Sequence, residues 1–330
     1  MQEIIEKCLN IYPCEVDVRY DEPMREHTTF KVGGPADCYI RPSGDNFPLF
    51  CKELISNAYT AEIPIFILGG GANIVVSDNG IRGIVLDVTD WKGVITDGDN
   101  SKNQLIFKSG TTMDEACEYA LEKSLTGLEF LAGMPGTIGG AVYMNARCYG
   151  KEIADILSYA DLLSYLEIYD INSAKACKTC AACKYPPDYL QVVRPVVKKD
   201  FGYKISPFQK MDCLIMRAAF NLQPGNKEQI KAEMEKNRQD RKDKGHYLFP
   251  CAGSAFKNNH DFGKPSGQII DELGLKGFSI GGAQIAPFHG NIVINKDGAT
   301  ASDIKALMDE VAAKVKASAG FELEPEIIFV

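Results

Sequence analysis

Apolar residues recur at helical spacing in some stretches and in short unbroken runs in others, and the two kinds of stretch alternate along the chain. Ile4, Ile5 and Leu9 suggest a short helix over residues 2–10. A strand at Ala36–Ile40, a helix at Phe47–Tyr59 and a buried strand at Ile63–Leu68 follow. Gly83–Val88 and Leu105–Lys108 are further strand candidates. Thr112–Ser124 reads as a helix: Thr112 caps it, Glu115 stands three residues on, and Met113, Ala116, Cys117, Ala120 and Leu121 share one face. After a strand at Leu214–Leu222, Pro224, Gly225 and Asn226 mark the expected domain boundary. Lys227–Lys244 is a densely charged helix with Ile230 and Met234 as its long apolar positions. Its mixed signs fit a solvated linker better than a nucleic-acid arm. A helix at 266–273, strands near 279–294, a helix at 302–317 and a final strand ending at Val330 make a compact C-terminal region.

Two glycine-rich stretches break this pattern. Residues 131–150 read LAGMPGTIGGAVYMNARCYG, and residues 65–78 read IFILGGGANIVVSD, with the glycines between two apolar strands. Lacking Cβ atoms, such turns let backbone N–H groups approach a polyanion, so each is a candidate diphosphate cradle as well as an ordinary turn. Neither has the spacing GxGxxG, and no GxxxxGK precedes a Ser or Thr, so neither a Rossmann nor a Walker site is indicated. Two such cradles suit a dinucleotide-like cofactor with an extended pyrophosphate.

Composition narrows the class. A length of 330 residues allows two or three domains, and 45% hydrophobic with 24% charged residues is ordinary for a globular protein. The net charge of −8 argues against a nucleic-acid surface, so an anionic ligand needs local positive character. The N-terminal MQEIIEKCLN has no signal-peptide core, and no apolar run approaches a membrane span. Eleven cysteines in such a chain are expected to be free thiols. The expectation is a cytoplasmic protein.

Six blocks then occur in a fixed order: HTTFKVGGPAD at 27–37, LGGGANIVVSD at 68–78, GMPGTIGGAVYMNA at 133–146, AGSAFKN at 252–258, GLKGFSIGGAQI at 274–285 and LEPEIIF at 323–329. From about Glu22 to the C-terminus the chain resembles the UDP-N-acetylenolpyruvoylglucosamine reductase (MurB) family, flavoenzymes of peptidoglycan precursor synthesis, in the shorter of its two forms. The resemblance implies an α+β fold: a two-part FAD-binding module of the vanillyl-alcohol-oxidase/MurB type over residues 1–224, with parts at about 1–88 and 89–224. A smaller α+β substrate-binding domain at 225–330 would carry a catalytic glutamate on its last strand. It also implies non-covalent FAD, NADPH as hydride donor, UDP-N-acetylglucosamine enolpyruvate as a small-molecule nucleotide-sugar substrate, and a monomer without nucleic-acid or membrane partners.

The resemblance also assigns residues. Gly69, Gly70, Gly71, Asn73, Gly133, Pro135, Gly136, Thr137, Gly139, Gly140 and Asn145 fall at cofactor positions. Ser254 matches the proton donor and Glu326 the acidic catalytic residue; Tyr203, Lys257 and Asn258 match substrate contacts, Lys257 as a charge for the diphosphate. Two departures stand out. FGYKIS puts Lys204 where the family has its catalytic arginine, keeping the charge but not the planar fork. NARCYG puts Arg147 and Cys148 where glycine and alanine are common. The alternatives are an FAD-dependent oxidoreductase of the same fold with another substrate, for which Cys148 is the candidate covalent tether, and a family member that binds FAD without catalysis.

One stretch lies outside the pattern. Residues 153–191 hold about a dozen more than a plain hairpin needs, including a Cys-rich insert near 172–191 with Cys177, Cys180 and Cys183 spaced C-x2-C-x2-C. A zinc or iron–sulfur site needs a fourth ligand, and Lys184, Tyr185, Pro186 and Pro187 follow instead, so no metal is expected there.

Overall fold

The computed structural model describes residues 1–95, 103–164 and 191–330, so Cys177, Cys180 and Cys183 lie outside the described residues. The chain forms two compact units, each made of separate segments: Met1–Arg19, Tyr39–Gly70 and Gly83–Arg238 in the first, Tyr20–Cys38, Gly71–Arg82 and Gln239–Val330 in the second. The boundary expected at 224–226 falls inside the first unit, and residues 20–38 and 71–82, expected in the N-terminal module, belong to the second.

In the first unit α1 (Gln2–Ile11) packs on α2 (Phe47–Thr60). Strand Ile65–Leu68 lies parallel to Ile81–Asp87, with Ile65 opposite Ile84 and Leu68 opposite Asp87, and the first glycine run begins where that pairing stops. A second, antiparallel sheet has the order Gln191–Pro195, Leu157–Ser164, Cys213–Asn221, Gln104–Lys108, Val94–Ile95. The first two of these strands flank the enlarged hairpin, with Tyr159 opposite Pro195 and Leu163 opposite Gln191.

The core of this unit joins Phe107, Ile215 and Phe220 to two helices, α3 (Met113–Glu122) and α4 (Ile138–Tyr143). The predicted apolar face of α3 is the buried one, and the predicted cap is present: Thr112 Oγ1 accepts from Glu115 N at 3.1 Å, while Glu115 Oε2 accepts from Thr112 N at 2.8 Å. The charged helix α5 (Lys227–Asp243) is more than a linker, because Ile230 and Met234 enter the same core. Asn237 Nδ2 donates to Glu129 O at 2.9 Å, and Arg238 pairs with Asp114 and Glu118.

The second unit centres on a four-stranded antiparallel sheet in the order Cys251–Ser254, Ile292–Asn295, Ala283–Ile285, Ser279–Ile280. Its core takes Ile269 and Ile270 from α6 (Ser266–Glu272) and Ile304, Leu307 and Val311 from α7 (Ala301–Ala319). Phe30, Val32 and Val75 are buried in that core, and Ile328–Phe329 pairs in parallel with Ile74–Val75. Those apolar contacts and that strand pairing are why residues 20–38 and 71–82 belong here.

Candidate functional site

The two glycine runs meet within the first unit. A Cβ on Gly70 would lie 2.7 Å from Gly136 Cα, and one on Gly69 would lie 2.6 Å from Thr137 Oγ1. Only glycine permits that approach, so two loops distant in sequence form one cradle. Gly133 and Gly136 have φ of 75° and 116°, the left-handed region that glycine accepts without strain. Not every N–H of the loop faces a ligand: Gly133 N donates to Asp114 Oδ1 at 2.9 Å and Gly139 N to Ser109 O at 2.8 Å. Pro135 and Gly140 are exposed, and a Cβ on Gly140 would meet Thr137 Oγ1 at 3.6 Å.

Two hydroxyls beside the cradle, Ser109 Oγ and Thr137 Oγ1, are buried without a hydrogen-bond partner among the described residues. A buried hydroxyl in that state is uncommon and points to a polar group supplied from outside the chain. The close-packed glycines and these hydroxyls fit the diphosphate of a dinucleotide.

Past α4 the chain reaches Asn145, which is fully buried with φ 45°. Its Nδ2 donates to Gly202 O at 2.8 Å and its Oδ1 accepts from Ala154 N at 3.0 Å, so its side chain holds protein backbone. Gly202 and Ile205 exchange two backbone hydrogen bonds at 3.0 Å across the turn that carries Tyr203 and Lys204. The Arg147 guanidinium stands 5.4 Å from the Tyr203 ring centroid, a cation–π contact. Arg147 is thus directed at Tyr203 within the same unit as Lys204.

In the second unit, AGSAFKN runs beside LEPE. Glu326 N donates to Ala255 O at 2.8 Å, Lys257 N donates to Glu324 O at 2.8 Å, and Phe256 bridges to Pro325. This pairing sets Ala255 opposite Glu326, which is 8% exposed, with Ser254 one residue earlier at the end of its strand. Gly71 and Asn73 brace the same region. A Cβ on Gly71 would lie 2.2 Å from His27 O, and Asn73 Nδ2 donates to Glu326 O at 3.1 Å. Lys257 Nζ donates to Glu324 Oε1 at 2.5 Å, so its charge is offset within the protein. Asn258 Oδ1 accepts from Ser266 N at 2.9 Å and so caps the approach to α6.

Asn291 was not among the expected residues. It is buried, accepts from Phe256 N at 2.9 Å and donates to Phe256 O at 2.8 Å, which fixes the backbone next to Ser254. Its signal in the sequence was an asparagine heading the apolar run Asn291–Ile294 (NIVI), where burial obliges its amide to find partners. Nearby, burial pushes the Cys251 thiol above its ordinary value, which keeps it protonated.

The comparisons with known proteins bear on both units. The model described as "UDP-N-acetylenolpyruvoylglucosamine reductase, C-terminal domain" matches residues 243–330, and an "FAD binding domain" model matches residues 51–168. UDP-N-acetylenolpyruvoylglucosamine reductase of Borreliella burgdorferi is 38% identical over 325 residues, covering 98% of each chain. That of Treponema denticola is 39% identical over 333 residues, covering 96% of this chain and 94% of its own. The chain belongs to the UDP-N-acetylenolpyruvoylglucosamine reductase family. A crystal structure of the enzyme (MurB) from Thermus caldophilus has a TM-score of 0.67 at 26% identity, covering 96% of this chain and 99% of that one. The α+β fold, an FAD-binding region with the C-terminal domain of the MurB family, agrees with these matches. The FAD-binding match spans both glycine runs, Asn73 and Asn145. The reductase C-terminal match spans Ser254, Lys257, Asn258 and Glu326, whereas Tyr203 and Lys204 lie in neither.

Proposed function

We propose that this chain is an NADPH-dependent flavoenzyme that reduces UDP-N-acetylglucosamine enolpyruvate to UDP-N-acetylmuramate. The observation that supports the proposal is the pairing of AGSAFKN with LEPE, the blocks that hold Ser254 and Glu326, in a chain whose near-full-length relatives bear that enzyme's name. FAD, held without a covalent bond, supplies hydride equivalents taken from NADPH. Gly69, Gly70, Gly136, Thr137 and Gly140 would hold it, with the Ser109 and Thr137 hydroxyls as polar contacts.

The residues of the chain supply the rest. Reduction of the enolpyruvyl ether builds negative charge on the α carbon and the carboxylate, and Lys204 offers a cation to that charge. Ser254 delivers a proton to the α carbon, and Glu326, mostly buried on the segment paired with AGSAFKN, shares a hydrogen bond with the developing charge. Tyr203, held by the Arg147 contact, closes on the substrate. With the Lys257 charge offset by Glu324, Lys257 orients the substrate more than it neutralises the diphosphate. The C-terminal segment from Gln239 to Val330 binds the nucleotide sugar. We place the enzyme in the cytoplasm, where a soluble nucleotide-sugar substrate would meet it, and as a monomer; among the described residues no helix is long and apolar enough to cross a membrane.

The test is stopped-flow kinetics on the purified protein. It should be yellow, release FAD on acid precipitation, and turn over NADPH catalytically only in the presence of the enolpyruvyl sugar. Ser254→Ala should leave flavin reduction nearly intact and slow flavin reoxidation by the sugar by about 10²–10⁴-fold. Equal loss in both half-reactions, or none in either, would remove Ser254 from its role; a flavoprotein inert to the sugar would remove the function.

A further inference from the structure

We infer that Asn145 is a positioning residue for the Tyr203–Lys204 turn and not a cofactor contact, an inference that rests on the proposed role of Lys204. The amide of Asn145 is engaged at both ends by backbone, Nδ2 with Gly202 O at 2.8 Å and Oδ1 with Ala154 N at 3.0 Å. Rotating the amide by 180° would set donor against donor and acceptor against acceptor, so its orientation is fixed by its partners. The residue is fully buried, which leaves it no water to substitute for either bond.

The turn needs such support. Lys204 has φ 59° whereas Tyr203 is not among the residues of positive φ, the pattern of a type II turn, which favours glycine or asparagine at the position Lys204 occupies. A lysine persists in that conformation only where its surroundings hold it. Asn145 grips the first carbonyl of the turn. Gln209 Nε2 donates to Lys204 O and to Tyr143 O, each at 3.1 Å, and Ser206 Oγ donates to Tyr143 O at 2.6 Å. Tyr143 ends α4, and Gly139 and Gly140 lie near its start. One short helix therefore carries the glycine cradle at one end and the anchors of the cation turn at the other. The effect is to hold the Lys204 backbone, the base of its side chain, in a fixed place from which the charge is preorganised.

Asn145→Asp tests this, because it keeps the acceptor for Ala154 N and removes the donor to Gly202 O. Amide hydrogen exchange at Gly202 and Ile205 should speed up, with flavin content, the flavin absorption spectrum and the NADPH half-reaction unchanged. Reoxidation by the enolpyruvyl sugar should slow by up to about 10²-fold, the usual consequence of displacing a catalytic group by an ångström. Should this variant fail to fold, Asn145→Gly keeps the left-handed backbone and carries the same readouts. Unchanged exchange at the turn, or lost flavin with a normal turn, would overturn the inference. Wild-type protein in the same assay separates the two levels: if it is inert to the sugar the proposed function falls, and the exchange measurement still decides what Asn145 holds.

Discussion

Lys204 combines a required charge with an unfavourable backbone. Its φ of 59° costs an L-residue about 1–2 kcal/mol, and glycine would relieve it. Lys204→Gly should therefore change unfolding free energy by less than about 1 kcal/mol, because relieved strain offsets the greater freedom of the unfolded chain. Turnover should fall by about 10²–10³-fold with the loss of the preorganised cation. Urea denaturation and steady-state kinetics on one preparation decide it; full turnover would mean that Lys204 is not the cation, and Arg147, over Tyr203, would be next to test. At this scale sequence motifs nominated Ser254, Glu326 and Lys204 as candidates, yet said little about how side chains are engaged. Asn73, Asn145 and Lys257 lie within recognisable blocks, but their partners Glu326, Gly202 and Glu324 lie far along the chain, and no local pattern names them.

Helix α4 illustrates the same limit for an element. Six residues with two glycines show no usable periodicity, so the stretch read as a cradle and not as a helix. Helix α3, with its apolar face and capping box, was legible throughout because both signals depend on neighbours three and four residues away. Gly140 offers a test of α4. An added Cβ meets only Thr137 Oγ1, at the ordinary distance of 3.6 Å, and alanine inside a helix is favoured over glycine by about 0.5–1 kcal/mol. Gly140→Ala should raise the melting temperature of flavin-free protein while lowering its affinity for FAD, measured by flavin titration. In Gly70→Ala the new Cβ falls 2.7 Å from Gly136 Cα, so stability and flavin binding should be lost together. Undiminished affinity in Gly140→Ala would place the cofactor away from the open side of α4.

For the whole molecule, the second unit should lose stability in mild acid. Burial first, then the charges of Arg241, His289 and Lys244, hold His246 down to about 4, well below its ordinary value of 6.5. Burial lowers His289 as well, with Lys244 adding to the effect. A group kept neutral by folding takes up a proton on unfolding, so its contribution is complete above about pH 6.5 and falls away towards pH 4. Melting temperature should decline across that window, and less steeply in His246→Gln; identical slopes would show that His246 carries none of the dependence. What the sequence by itself determined was local or cumulative: the glycine turns, the capped amphipathic helix, and the ordered blocks that mark the family. Tertiary structure alone decided that residues 20–38 and 71–82 belong with the C-terminal segment, that LEPE pairs with AGSAFKN, and that Asp161 and Arg217 form a buried ion pair across neighbouring strands. The physical reason is range. Turns and helices follow from backbone preferences and contacts within four residues, whereas strand register and buried polar pairs depend on which distant segments the packed core brings together.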